Sequence, residues 1–256
     1  MKPIANRIEE IKRNGYQLDF DAVINRAFEN YKKIALYAGL MLFVFFVFFG
    51  LIAVTTLISF FGIDHLNPEN IQQYSPENLT GVPLLIYIGV NMLLSILLAP
   101  FLAGFYKMAD CAKKDIEFHV STMFEYYKSP YLIEIGIATF VLLLFNTGLS
   151  MLFETNGYVF IGAIIGALIS FFSFLTVPLI VFGKLGAITA IKSSFIIVSK
   201  KPLALLALVI IALIGALVGF IGCCIGIFFT IPFLYSMYYT AYNEIIGQES
   251  DSELML

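Results

Sequence analysis

Residues 20–61 read FDAVINRAFENYKKIALYAGLMLFVFFVFFGLIAVTTLISFF, and the change of character at residue 34 decides the fold. Up to that point Asp21, Arg26, Glu29, Lys32 and Lys33 are interleaved with apolar residues; from 34 to 61 no residue is charged. A helix needs about 20 apolar residues to cross a hydrocarbon core of about 30 Å, so 34–61 reads as a transmembrane span with a basic lead-in. Working outward, five more stretches read the same way: 83–106, 131–153, 158–183, 202–220 and 222–242. The chain has 256 residues, of which 60 % are hydrophobic and 13 % charged. Soluble chains carry about 25 % charged residues, and a soluble domain this apolar would not stay dispersed. The expected fold is all-α, a polytopic membrane protein of six transmembrane helices.

Charge supports this threading and gives it a direction. All 15 Lys and Arg fall into alternate connections. Lys2, Arg7, Lys12, Arg13, Arg26, Lys32 and Lys33 precede the first span. Lys107, Lys113, Lys114 and Lys128 lie between the second and third, and Lys184, Lys192, Lys200 and Lys201 between the fourth and fifth. Cytoplasmic loops accumulate Lys and Arg, so these segments and both termini are expected on the cytoplasmic side. The division is a cytoplasmic amphipathic segment, 1–33, a six-helix domain, 34–243, and a cytoplasmic tail, 244–256. The stretch 62–82, with Asp64, Glu69 and Glu77, is the one sizeable outer loop. Cys111, Cys223 and Cys224 form no disulfide framework, and the charged first 33 residues do not read as a cleavable secretory signal.

The first 33 residues have a helical pattern of their own. Ile4, Ile8 and Ile11 share a face, Gly15 marks a stop, and Asp19 or Asp21 can cap a second helix with Phe20, Ile24, Phe28 and Tyr31 on its apolar side. Such a segment either lies in the headgroup region or packs on the protein's own inner face.

An internal repeat follows. FDAVINRAFENYKKIAL at 20–36, FHVSTMFEYYKSPYLI at 118–133 and GAITAIKSSFIIVSKKPL at 186–203 each precede a span. Phe28, Phe124 and Phe195 occupy equivalent places. The second span of each unit carries one proline before an apolar pair: Pro100, Pro178 and Pro232. The chain thus reads as three pseudo-repeated units, each an interfacial helix followed by a helical hairpin. Triplication and a shared membrane grammar both account for the pattern. The prolines are candidate helix kinks, either around an inward cavity or simply splaying the helices.

Charged residues are scarce inside the spans. Glu134, one turn into the third, and Glu154, at an outer edge, do not make a proton relay. Asn91, Ser95, Asn146, Ser170 and Ser173 are the candidate cavity lining; helix-to-helix hydrogen bonding is their ordinary alternative. Lys32, Lys33, Lys128, Lys200 and Lys201 are the candidate headgroup contacts. Tyr235, Tyr238, Tyr239 and Tyr242 suit an interfacial aromatic belt or an inward headgroup pocket. Gly162 with Gly166, Gly215 with Gly219 and Gly222 with Gly226 form ladders for close helix packing. No catalytic motif is present, and neither cofactor nor metal is expected. An interfacial enzyme would require His119 to converge with Asp110, Asp115, Glu117 and Glu125.

The closing stretch GFIGCCIGIFFTIPFLYSMYYTAYNEIIG, together with FDAVINRAFENYKK and VPLIVFGKLGAITAIKSSFIIVSKKPL, resembles a broad group of six-span prokaryotic integral membrane proteins. That group includes the membrane domain attached to glycerophosphodiester phosphodiesterases. The resemblance implies six spans in a prokaryotic cytoplasmic membrane and carries over no catalytic residue, since the phosphodiesterase is a separate soluble domain. The expected function is a non-enzymatic structural or accessory role in envelope or lipid homeostasis. The expected partners are anionic membrane lipids and a protein on the cytoplasmic face, with no nucleic acid. The alternative is a transporter or lipid-translocating protein with an inward-opening cavity.

Overall fold

The computed structural model describes residues 4–61, 78–128, 130–222 and 225–247. Residues 62–77 of the expected outer loop, the Cys223–Cys224 pair, Lys2 and the tail from 248 lie outside the described residues. Among the described residues there are helices and connections and no strand.

Helix α1, Ile4–Asn14, buries Ile8 and Ile11 and ends at Gly15, whose φ of 72° is a conformation glycine reaches without strain. Asp19 then caps the next helix, accepting a hydrogen bond from the Ala22 N–H at 3.0 Å. Helix α2, Phe20–Phe61, has 42 residues and is about 63 Å long at 1.5 Å per residue. There is no break at residue 34. Val23, Ala27, Ile34, Ala38 and Leu42 are all buried, a stripe at helical spacing that passes through the change from polar to apolar sequence. The lead-in therefore continues the span along its axis and is not a separate surface helix. The amphipathic pattern belongs to a helix whose apolar side faces protein.

Helix α3 is Gly81–Lys113, followed by the short α4, Val120–Met123, and a 3₁₀ turn, Glu125–Tyr127. Helices α5, Tyr131–Glu154, and α6, Val159–Ser173, form a hairpin in which Gly166 lies against Asn146 and Gly162 against Ser150. Helix α7, Thr176–Val181, continues the direction of α6 after a break. Helix α8, Ala187–Lys200, leads into α9, Pro202–Leu217, a 3₁₀ turn, Val218–Gly222, and α10, Gly226–Ile246. Gly219 packs backbone to backbone on Gly226, and Thr230 Oγ1 donates to the Ala216 carbonyl at 2.5 Å, closing the α9–α10 hairpin. The glycine ladders at 162/166 and 215/219 are thus packing surfaces.

Contacts fix the relative directions. Along α2 and α10, Arg26 pairs with Glu244, Ser236 donates to the Ala27 carbonyl, Gly39 lies under Phe229, and Phe43 meets Phe228 at 5.4 Å. The two helices are antiparallel. Helix α3 is antiparallel to α2, since Lys33 Nζ donates to the Ala112 carbonyl while Phe45 stacks on Phe101. Helix α3 therefore runs parallel to α10, and Tyr235 meets Phe105 as Tyr239 meets Asp110.

This arrangement gathers the described Lys and Arg at one end. Arg7 donates to the Ile245 carbonyl, Lys113 to Asn243, and Tyr16, beside Lys201, to the Ile197 carbonyl. The buried core lies toward the same end, through the second half of α3, α7, α8 and most of α10. Toward the other end the helices expose Phe46, Phe48, Leu51, Leu85, Leu94, Phe160 and Ile221. Five helical stretches are long and apolar enough to cross a membrane: Phe20–Thr56, Gly81–Lys113, Tyr131–Glu154, Val159–Val181 and Pro202–Gly222. The most apolar window of the second contains no buried residue. Apolar side chains left outward on helices of this length fit an integral membrane protein solvated by lipid.

Candidate functional site

At the cation-rich end, α3, the 3₁₀ turn at 125–127, and the ends of α7 and α10 enclose a cleft of about 380 Å³. Lys107, Asp110 and Lys114 reach it from α3 because spacings of three and four put them on one helical face. Asp110 is the centre. Its side chain is 5 % exposed; it lies 4.0 Å from Lys107 and 3.4 Å from Lys114 and accepts a 2.8 Å hydrogen bond from the Tyr239 hydroxyl. Glu125 stands 3.7 Å from Lys107. Lys184 enters from beyond α7, with a left-handed φ of 51° that non-glycine residues seldom adopt. Tyr126, Tyr131 and Tyr242 complete the polar wall. Burial, reinforced by the Glu125 and Asp110 charges, pushes the Tyr126 phenol well above its usual range, so it stays a protonated donor.

Below the cleft the bundle is filled with aromatic rings. Phe101 stacks on Phe45 with centroids 4.0 Å apart, Phe105 on Tyr235 at 5.1 Å, and Phe182 meets Tyr239 edge-on at 5.3 Å. The tyrosines at 235, 238, 239 and 242 thus form the interior face of α10 where it meets α3 and α7. A second cleft, about 990 Å³, lies at the opposite end between α3 and α5, among Thr80, Tyr87, Asn146, Ser150 and Glu154. Among the described residues the two clefts share no lining residue.

Of the polar residues expected to line a cavity, Asn146 reaches the second cleft and also packs on Gly166. Asn91 donates to the Tyr87 carbonyl one turn back, and Ser173 to the Ser170 carbonyl. Ser170 is exposed and Ser95 half-buried. Among the prolines, α3 and α10 continue through Pro100 and Pro232, and only the α6–α7 span breaks, just before Pro178. Pro178 has no N–H to offer one turn back. Ser194, from α8, bridges the gap by donating to the Phe172 carbonyl at 2.7 Å and accepting from the Leu175 N–H at 3.3 Å.

The candidate headgroup lysines divide. Lys32 pairs with Glu29 and lies over Phe28, Lys33 pairs with Asp115, and Lys201 lies 5.9 Å over the Tyr16 ring. Lys128 and Lys200 are exposed and pair with no carboxylate among the described residues. Glu134, one turn into the third span, caps α8, where its Oε2 accepts the Ala187 N–H at 2.6 Å. A carboxylate there also meets the positive end of the helix dipole. His119 is exposed, outside the cleft, with its backbone N–H donating to Thr122 Oγ1. Asp110 and Glu125 do converge, but on lysines. The three-and-four spacing of Lys107, Asp110 and Lys114 was a readable signal for half the cleft; Lys184 and the tyrosines join it only through the tertiary fold. No family model, no curated protein and no solved structure matches the chain.

Proposed function

We propose that the protein is a six-span, non-enzymatic accessory protein of a prokaryotic cytoplasmic membrane, with its cation-rich end as a working face on the inner leaflet. The observation that carries this reading is the concentration of Lys and Arg, the packed core and a polar cleft at one end, with exposed apolar helices toward the other. A cation-rich end belongs on the cytoplasmic side, where anionic lipids attract each Lys or Arg by about 1 kcal/mol.

The contacts of α10 support the sixth crossing. Arg26 pairs with Glu244, so the chain returns to the end from which α2 leaves. Five crossings would leave it at the opposite end; α10, with 21 residues antiparallel to α2, supplies an even count. Its Tyr239 and Tyr242 are buried against protein. The returning helices of the three units, α3, α6–α7 and α10, also meet one another around the cleft, which favours the repeat. The resemblance to six-span prokaryotic membrane proteins points the same way.

Lipid composition tests the working face. In discs cut from the native membrane, anionic lipid is expected to be enriched around the protein relative to the bulk. Exchanging exposed Lys128 and Lys200 for Gln should remove part of that enrichment. Bulk-like composition around the native protein, or an enrichment indifferent to both exchanges, counts against the reading. Residues 4–33 are unsuitable for deletion because their Ile11, Val23 and Ala27 are core.

The alternative, a transporter or lipid-translocating protein with an inward-opening cavity, gains little from the cleft that Asn146 lines, which lies at the end opposite the cation-rich one. The aromatic layer of Phe45, Phe101, Phe105 and Tyr235 stands against a continuous path and favours the accessory role.

A further inference from the structure

We propose that the cleft between α3, α7 and α10 binds a phosphate group, held by the ammonium groups of Lys107, Lys114 and Lys184. Among the described residues, three lysines line the cleft against two carboxylates, leaving one positive charge in excess. Asp110 and Glu125 already engage Lys107 and Lys114, which fixes those ammonium groups in place instead of leaving them free to follow solvent. Lys184 has no carboxylate partner among the described residues, yet its backbone is held in a left-handed conformation that brings it to the same cleft. Non-glycine residues kept there are concentrated at binding and switch sites.

Lining hydroxyls add neutral donors. Tyr126, Tyr131 and Tyr242 stand on the wall, and an anion also accepts hydrogen bonds from protonated phenols, more weakly than from ammonium groups. The cleft volume of about 380 Å³ admits a headgroup phosphate with its glycerol or a free phosphate with its water, while the aromatic floor ends the polar space beneath. A metal cation is the poorer occupant, since the lysines repel it and both carboxylates are committed to them.

The assignment rests on the cation-rich end being the working face. Binding measured in detergent is indifferent to which side of a membrane that end faces, so the ligand and the orientation fail separately. Protein purified in a neutral detergent and stripped of lipid is titrated with short-chain phosphatidylglycerol, with short-chain phosphatidylcholine, and with inorganic phosphate against chloride at matched ionic strength. Thermal stabilisation and native mass spectrometry give the readouts.

Saturable binding of phosphatidylglycerol, stronger than that of phosphatidylcholine, is expected. Lys184→Gln should weaken it about tenfold, equivalent to about 1.4 kcal/mol, and Lys184→Arg should restore most of it. Lys184→Gln keeps the ligand-free stability of the native protein, because Lys184 holds no ion pair among the described residues. Binding of phosphatidylglycerol without inorganic phosphate assigns the site to a lipid headgroup, and binding of both assigns it to the phosphate group itself. Absence of saturable binding to either, or equal affinity in the native protein and Lys184→Gln, overturns the proposal.

Discussion

Replacing Asp110 with alanine is expected to destabilise the detergent-solubilised protein by about 3 kcal/mol. The carboxylate is buried where Lys107 and Lys114 converge, and it accepts the Tyr239 hydroxyl from the opposite helix. Removing one member of a buried ion pair costs about 3–5 kcal/mol, mostly from the charge left behind. The lysines are 29 % and 31 % exposed, so solvent recovers part of that, and the expected loss sits at the lower end. Asp110→Asn removes the charge and keeps an acceptor for Tyr239, so its loss should be intermediate. Thermal unfolding of the three proteins in one detergent gives the order. An alanine variant as stable as the native protein would mean that this carboxylate does not organise the cation-rich end of the bundle.

Gly104→Ala should cost a similar amount, about 3 kcal/mol, for a different reason. A Cβ at Gly104 would stand 2.5 Å from the Met123 carbonyl oxygen and 2.7 Å from Met123 Cα. Both are backbone atoms of α4, so no rotamer change relieves the clash, and overpacking of this kind displaces an element. The element displaced adjoins Glu125 and Tyr126, so the cleft should open as stability falls. The control is on the same helix. Gly89 has open space around its Cβ position, and Gly89→Ala should be neutral or stabilising by about 0.5–1 kcal/mol. If both substitutions shift the melting temperature equally, the close approach of α3 to α4 is not what requires glycine at 104.

The apolar runs and the one-sided placement of Lys and Arg carried most of the architecture in the sequence, because bilayer thickness and charge translocation act on segments directly. Gly15, Asp19 and the 162/166 and 215/219 ladders were likewise legible, since each depends on local backbone geometry or a short helical spacing. The course of α2 was not. A basic amphipathic stretch reads the same whether its apolar side meets lipid or protein, and only the partner surface of α10 decides it. Glu134 shows the same limit. A carboxylate one turn inside a span looks bound for the headgroups until α8 presents the Ala187 N–H to it. For the cleft, Lys107, Asp110 and Lys114 share a face on one helix, but Lys184 and Tyr242 come from distant helix ends that only folding brings together. Pairings across helices leave no periodicity in a single strand of text.

Cysteine accessibility tests the central claim, that the cation-rich end faces the cytoplasm and that the chain returns to it through α10. In a background with Cys111, Cys223 and Cys224 replaced, single cysteines are placed at four exposed positions: Asn156 and Ile221 at one end, Lys200 and Gly247 at the other. A membrane-impermeant maleimide is applied to intact cells and to permeabilised ones. Asn156→Cys and Ile221→Cys should react in intact cells, whereas Lys200→Cys and Gly247→Cys should react only after permeabilisation. Labelling of Lys200→Cys or Gly247→Cys in intact cells, or protection of Ile221→Cys there, contradicts it.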